Sequence, residues 1–257
     1  MSEQCFVILK LELQSDQGKI TFAKSSLLQG VLMENIRPEY AQKMHEMSMR
    51  PYSQCVVEQD GKVYWQIATL NSEAYEEIIV PLASDSFQKF TLKHCDWTVN
   101  IISRQVCKTL KKEWMRSFYQ EESSRMLTIS FHTPTSFKKD GGYAIFPELK
   151  NIYESLMLRY ESILPEESFY DPDTLMQLVD NSSIVRYRLR SVTFPMEATR
   201  IPGFMGEITI RIKGPQTMVN FVKLLLTFGT YAGVGMKTAM GMGNMTYEER
   251  RKEQKKL

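Results

Sequence analysis

Five of the chain's 13 glycines lie from Gly229 to Gly243, four of them around a single lysine in the segment Tyr231-Ala-Gly-Val-Gly-Met-Lys-Thr-Ala-Met-Gly-Met-Gly-Asn244. Glycine loses more backbone freedom on ordering than any other residue, so neither a regular helix nor a good strand is expected here. A loop of this composition can instead bring bare backbone N–H groups against something bulky and anionic. Phosphate is the obvious candidate, with Lys237 adding positive charge. The segment is not a P-loop: it lacks Gly-x-x-x-x-Gly-Lys-Ser/Thr and runs into an expected strand rather than opening a helix.

A second set of cations lies on Ile184-Val-Arg-Tyr-Arg-Leu-Arg190. In a strand, alternation puts Arg186, Arg188 and Arg190 on one face and Val185, Tyr187 and Leu189 on the other. The strand expected over residues 206–213 alternates likewise, with Ile208, Ile210 and Ile212 inward and Glu207, Thr209, Arg211 and Lys213 outward. Paired as a hairpin, the two outer faces form a basic ribbon. Anion binding and a merely solvated face both suit it, although three arginines in a row repel one another. The three histidines are His45, with polar neighbours and no apolar stripe of its own, His94 in an expected turn, and His132 at a strand end. Each suits proton transfer near neutral pH, and each equally suits a structural role. No Asp/Glu/His cluster has metal-ligand spacing and no Gly-x-Ser-x-Gly elbow occurs, so neither a metal nor another cofactor is expected.

The composition, 43% apolar with 24% charged, is that of a soluble globular protein, and 257 residues suffice for one large or two small domains. The net charge of +2 conceals asymmetry: residues 182–213 hold six basic and two acidic residues, a local +4, whereas 161–173 hold five acids and no base. Patches rather than totals are what anions feel. No run approaches the ~20 apolar residues of a membrane span, and the N-terminus lacks a basic n-region, so a cytoplasmic location without membrane association is expected. Cys5, Cys55, Cys95 and Cys107 show no C-x-x-C spacing and are read as small buried hydrophobes; Met33, Met44, Met47 and Met49 are read as packing residues.

The pattern along the chain predicts a strand at 5–14, an amphipathic helix at 24–36 and a short helix or turn at 38–47. Strands follow at 51–58 and 62–70, joined by Gln-Asp-Gly, then a helix at 71–82 and strands at 88–92 and 97–106. The order then repeats: strand 125–131, helices 147–162 and 172–179, strands 183–194 and 206–213, helix 215–228, strand 242–247. The fold class is therefore α+β, two tandem ferredoxin-like (RRM-like) β-α-β-β-α-β domains, residues 1–120 and 121–257. The charged tail 248–257 is expected to fray.

Three segments together resemble the RAMP superfamily and, more narrowly, its CRISPR repeat-processing endoribonucleases. They are the glycine loop from Gly233 to Gly243, Ser130-Phe-His-Thr-Pro-Thr-Ser-Phe137, and Met49-Arg-Pro-Tyr-Ser53. The resemblance implies cleavage of the long CRISPR transcript within each repeat, without metal. The substrate's own 2′-hydroxyl attacks the neighbouring phosphate and leaves 2′,3′-cyclic phosphate and 5′-hydroxyl ends. It implies that His45, between the first helix and second strand, is catalytic, with Tyr40, Lys43 and Arg50 as candidate partners. Arg50 suits phosphorane charge, Tyr40 suits orientation or proton donation, and Lys43 suits RNA contact. The glycine loop, through Gly233, Gly235, Lys237, Thr238, Gly241 and Gly243, would pack against the first domain and present N–H groups to RNA backbone. The ribbon of Arg186, Arg188, Arg190 and Arg211 would grip the repeat's stem or single-stranded flank. The expected partners are CRISPR repeat RNA, as precursor and mature crRNA, and effector-complex subunits; monomer and homodimer both remain open. Two other readings stand beside the nuclease: a repeat-RNA-binding module that does not cut, and a structural subunit of an effector complex. The absence of a long insertion favours the nuclease.

Overall fold

A computed structural model describes residues 4–93, 95–120, 123–164, 166, 169–196 and 199–250. His94, expected in a turn, and the tail beyond residue 250 lie outside the described residues; Glu248 and Glu249, expected to fray with that tail, are instead paired in the last strand, opposite Thr128 and Leu127. Strand β1 (Cys5–Gln14) alternates, and Val7, Leu9 and Leu11 are fully buried beneath α1 (Ser25–Glu34), which contributes Leu28, Val31 and Leu32. Asn35 ends α1 by donating its Nδ2 to the Val31 carbonyl at 2.8 Å. Pro38 then opens α2 (Pro38–Glu46), where its missing N–H costs nothing. Strands β2 (Tyr52–Gln59) and β3 (Lys62–Thr69) form the expected hairpin.

The expected helix at 71–82 is α3 (Ser72–Ala74), a π turn (Tyr75–Ile79) and α4 (Val80–Ala83) in succession. The π turn sits just ahead of Pro81, whose missing N–H breaks the regular ladder. Strands β4 (Lys89–Leu92) and β5 (Trp97–Leu110) complete an antiparallel sheet of order β2-β3-β1-β5-β4. This is the ferredoxin-like order with β4 added at the edge.

Helix α5 (Lys111–Gln120), unexpected from the sequence, leads to the second sheet. That sheet has the order β11-β6-β10-β9, built from β6 (Met126–Thr135), β9 (Ser182–Pro195), β10 (Arg200–Ile212) and β11 (Met245–Glu249). Between β6 and β9 lie a small hairpin, β7 (Phe137–Lys139) with β8 (Gly142–Ala144), and helices α6 (Leu149–Ile163) and α7 (Pro172–Asp180). The hairpin is also absent from the expected elements, because its three-residue strands are too short for periodicity to register. Helix α8 (Gln216–Ala232) precedes the glycine segment. The fold class is thus α+β with two ferredoxin-like domains.

Apolar packing holds the two domains together. Phe6 of β1 meets Trp114 of α5 (5.4 Å, edge-on) and Phe228 of α8 (5.8 Å), while Trp114 stacks on Tyr160 of α6 (5.4 Å). Ala68 and Leu70 from the first sheet complete this shared core. Of the cysteines, Cys5 and Cys55 are buried as expected, and burial pushes the Cys55 thiol up to about 12. Cys95 is only half-buried and Cys107 is exposed, because β5 extends well past its edge partner β4. Among the methionines Met44 is fully buried, as a packing residue should be. We expect Phe228→Ala to cost about 3–5 kcal/mol of stability through the cavity left between domains; urea unfolding measures it, and a loss below about 1 kcal/mol would show that this core does not couple them.

Candidate active-site cleft

The glycine segment owes its course to close approach. Gly233 ends α8 with φ +70°. A Cβ on Gly235 would lie 2.4 Å from the Ser136 carbonyl oxygen, and one on Gly241 would lie 2.1 Å from Cβ of Ser25, at the start of α1. Gly243 would put a Cβ 2.0 Å from the Val234 carbonyl oxygen. The loop is therefore folded on itself and pressed against the first domain. Gln54 of β2 ties it down, donating its Nε2 to the carbonyls of Ser25 (2.8 Å) and Ala239 (3.2 Å).

The expectation that the loop offers its N–H groups to phosphate narrows to four of them, on Lys237, Thr238, Ala239 and Gly241. Those of Val234, Gly235, Met236, Met240, Met242 and Gly243 donate within the protein, Gly235 to Ser155 Oγ at 2.9 Å and Gly243 to the Pro134 carbonyl at 3.0 Å. The loop also presents charge. Lys237 is exposed at a left-handed position (φ +57°), held up by the 3-10 turn Thr238–Met240 that follows it. Thr238 is 2% exposed, and its Oγ1 has no hydrogen-bond partner among the described residues.

Lys237 faces a cleft of about 780 Å³ between the domains. Across from it stand His45, exposed in the last turn of α2, and Arg50. Arg50 Nε donates to the Met44 carbonyl at 2.9 Å, fixing the segment between α2 and β2. Lys138 of the β7–β8 hairpin and Arg159 of α6 complete the cationic lining. No carboxylate belongs to the described lining residues, so the cleft suits an anion.

Arg159 carries no distinguishing signal in the sequence, where it sits at the edge of the apolar stripe of α6. It is 8% exposed, and its guanidinium donates across the domain boundary to the carbonyls of Tyr52 (2.9 Å) and Arg50 (3.2 Å). Burial lowers its pKa to about 10, which leaves it cationic at neutral pH.

Tyr40 and Lys43 do not join His45. Five residues turn a helix through about 140° relative to the starting side chain, so Tyr40 points into the first core, 4% exposed. Burial raises its phenol well above the usual value, a poor setting for proton exchange. Lys43 is engaged by both carboxylate oxygens of Glu73, at 2.6 and 2.7 Å. His132 also lies apart, on the outer face of the second sheet, hydrogen-bonded to Thr246 Oγ1 at 2.7 Å. Although its edge is exposed, surrounding protein desolvates the ring and holds its pKa below the usual value.

The arginine ribbon is a separate surface. Arg186, Arg188 and Arg190 are exposed on β9, opposite Thr209, Glu207 and Met205 of β10, and Arg211 is exposed farther along β10. Two details differ from simple alternation. A register shift leaves Val185 without a partner and exposed, and Thr209 is buried on the outer face, sharing a 3.1 Å hydrogen bond with Thr128. Among the described residues no group of three or more His, Cys, Asp or Glu could hold a metal, and no helix is long and apolar enough to cross a membrane.

Two antiparallel ferredoxin-like domains closed by a glycine-rich loop define a protein of the double ferredoxin-like class. Solved structures share this architecture. A Thermus thermophilus Cas6 superposes with a TM-score of 0.73 at 20% identity, covering 96% of this chain and all of that one. A Cas6 product complex gives 0.78 at 19% identity, over 95% of this chain and all of that one. The sequence profile of the CRISPR-associated endoribonuclease Cas6 family matches residues 129–245. The Cas6 of Streptococcus thermophilus is 32% identical over 86% of this chain and 90% of its own length. That of Mycobacterium tuberculosis is 32% identical over 84% of this chain and 69% of its own. The chain belongs to the family of CRISPR-associated endoribonucleases, Cas6.

Gly241→Ala, strained at φ +114° and colliding with Ser25, should destabilise the protein by roughly 2–5 kcal/mol. Gly30→Ala, on α1 with nothing within 4 Å of its Cβ, should be neutral or stabilising by up to about 1 kcal/mol. Equal denaturant midpoints for the two variants would show that the loop is not pinned against Ser25.

Proposed function

We propose that the protein cuts CRISPR precursor RNA within its repeats by attack of the substrate's own 2′-hydroxyl, without a metal ion, giving 2′,3′-cyclic phosphate and 5′-hydroxyl ends. The observation that carries this reading is the imidazole of His45 in a cleft with four cationic side chains and no carboxylate among its described lining. Family membership supports the same substrate, and the neighbouring folds include a Cas6 bound to a substrate mimic.

In this reading residues 1–120 supply the proton-transfer group and residues 121–257 the phosphate-binding wall. His45 takes the proton from the 2′-hydroxyl, being the imidazole in the described lining, the side-chain type best suited to general base catalysis. Arg50 and Lys237 face the scissile phosphate from opposite walls and offset the charge that develops on the phosphorane. Arg159 is a positioning residue: it holds the backbone of Arg50 and Tyr52 through their carbonyls. Arg186, Arg188, Arg190 and Arg211 contact RNA phosphates outside the cleft, in the manner expected where shape and backbone rather than base edges are recognised.

His45→Ala should slow cleavage of the cognate repeat RNA by about 10²–10⁴-fold while leaving affinity within a few-fold. EDTA should change neither rate, and a 2′-deoxy sugar at the cut site should abolish product. Undiminished cleavage by the variant would overturn the site, and cleavage of the 2′-deoxy RNA would overturn the mechanism. Replacing Arg186, Arg188 and Arg190 by Gln should flatten the dependence of log Kd on log salt by about 0.7–0.9 for every phosphate no longer neutralised. A slope that does not move would make the ribbon ordinary surface.

A further inference from the structure

Large apolar side chains are conspicuously exposed at one place beside the cleft. Tyr143 (41%), Ile145 (52%) and Phe146 (47%) leave the β7–β8 hairpin, and Val185 (42%) and Tyr187 (63%) face them from β9. Phe146 and Tyr187 meet edge-on, ring centroids 5.7 Å apart at 88°. The register shift around Val185 is what brings it to the surface. Tyr187 shares a face with Leu189, which packs on the core, yet Tyr187 itself stays open. Two aromatic rings left exposed in contact forgo burial that would stabilise the fold, so the patch needs an occupant.

Its surroundings identify one. Lys138 and Tyr143 are directly paired across the β7–β8 hairpin, which puts their side chains on the same face. Lys138 lines the cleft that holds His45 and Lys237. A polyanion leaving that cleft past Lys138 therefore meets Tyr143 next, then Phe146 and Tyr187. Along β9, the free edge of its sheet, Tyr187 is flanked by Arg186 and Arg188. Arg188 has an 88% exposed side chain, and its nearest carboxylate, Glu207, stays at 3.9 Å. Aromatic rings on one face of a sheet edge, with arginines on the other face of the same edge and a cationic cleft alongside, match unpaired RNA that passes around the edge: phosphates to the cations, bases on the rings.

We propose that Tyr143, Phe146 and Tyr187 form a base-stacking platform for the unpaired strand that flanks the scissile bond. This rests on the RNA-cleaving function proposed above, and names the part of the substrate that this surface takes. It differs from the sheet-face stacking of RRM domains, because the rings stand at the sheet edge and on the hairpin instead of on the open β-face.

The test uses the full-length protein and repeat RNA made uncleavable by a 2′-deoxy sugar, with no extension or with an unpaired extension at its 5′ or its 3′ end. An extension at one end should tighten wild-type binding by about tenfold or more, and Phe146→Ala/Tyr187→Ala should lose that gain relative to the unextended RNA. Tyr187→Trp should keep the gain, and the fluorescence of the introduced indole should be quenched by the extended RNA alone. No gain from either extension, a gain that survives the double substitution, or indole emission that the extended RNA leaves unquenched would each overturn the platform. So would loss of a solution dimer in the double variant with RNA affinity unchanged, since the patch would then be a protein interface. All-ribose RNA left uncut by the wild type would overturn the nuclease instead, and the binding comparison would still decide the platform.

Discussion

Where Gly241 passes Ser25, its backbone lies closer to the serine side chain than a Cβ on residue 241 would allow, and the cleft exists because of that approach. The loop carrying Lys237 buries only isolated apolar side chains, Val234, Ala239 and Met242, each in a different cluster. It is fixed by glycine-permitted contacts on the second domain and by Gln54 and Ser25 on the first. Gln54 is itself held, its Oε1 accepting from the Trp65 indole at 2.9 Å. That indole is fully buried in the first core. A chain of contacts thus runs from the centre of one domain to the lysine on the other. It relies on polar groups paired in a dry setting, where each pair is worth most and each loss costs most.

The same arrangement explains how like charges are kept close without unfolding the cleft. Arg50, Lys138, Arg159 and Lys237 line one space, and mutual repulsion opposes it. Arg159 offsets its desolvation by donating to two carbonyls, and Arg50 donates to another at the end of α2, where carbonyl dipoles favour a cation. Lys237 and Lys138 stay solvated. The protein therefore keeps its anchored cations on backbone acceptors and leaves carboxylates out of the described lining. The positive potential remains available to a ligand because no acidic side chain there neutralises it.

Most of the architecture was legible in the sequence because its signals are local and repeated. Strand β1 and the parts of β6 and β10 within 127–131 and 208–212 alternate apolar and polar residues, α1 and α6 show apolar stripes, and the glycines mark the loop. What escaped lacks local signal. The β7–β8 hairpin is too short for period two, α5 shows only one short stripe (Trp114, Met115, Phe118) among charged residues, and nothing in the spacing of Val185 announces a register shift. The cleft was legible in its two poles, His45 and Lys237, which the fold places on one lining. Its walls were not. Tyr40 lies close to His45 in sequence but on another side of α2, and Arg159 lies far from it in sequence but reaches across the domain boundary. Sequence proximity misled in the first case and concealed the second.

Strand β9 has to satisfy two opposed demands. Fourteen residues long and unpaired along one side, it offers a row of backbone groups to any other strand. Charged side chains and a bulge are the usual guards of such an edge, and Arg186, Arg188, Arg190 and the irregularity at Val185 fit that duty without any ligand. Guarding alone, however, would place a charge or a small polar residue at position 187 as well. A tyrosine 63% exposed and touching Phe146 works against it, since aromatic residues favour strand pairing. An edge protected on one face and adhesive on the other is better suited to a flexible polyanion, which the arginines attract, than to a second strand, whose approach they and the bulge oppose.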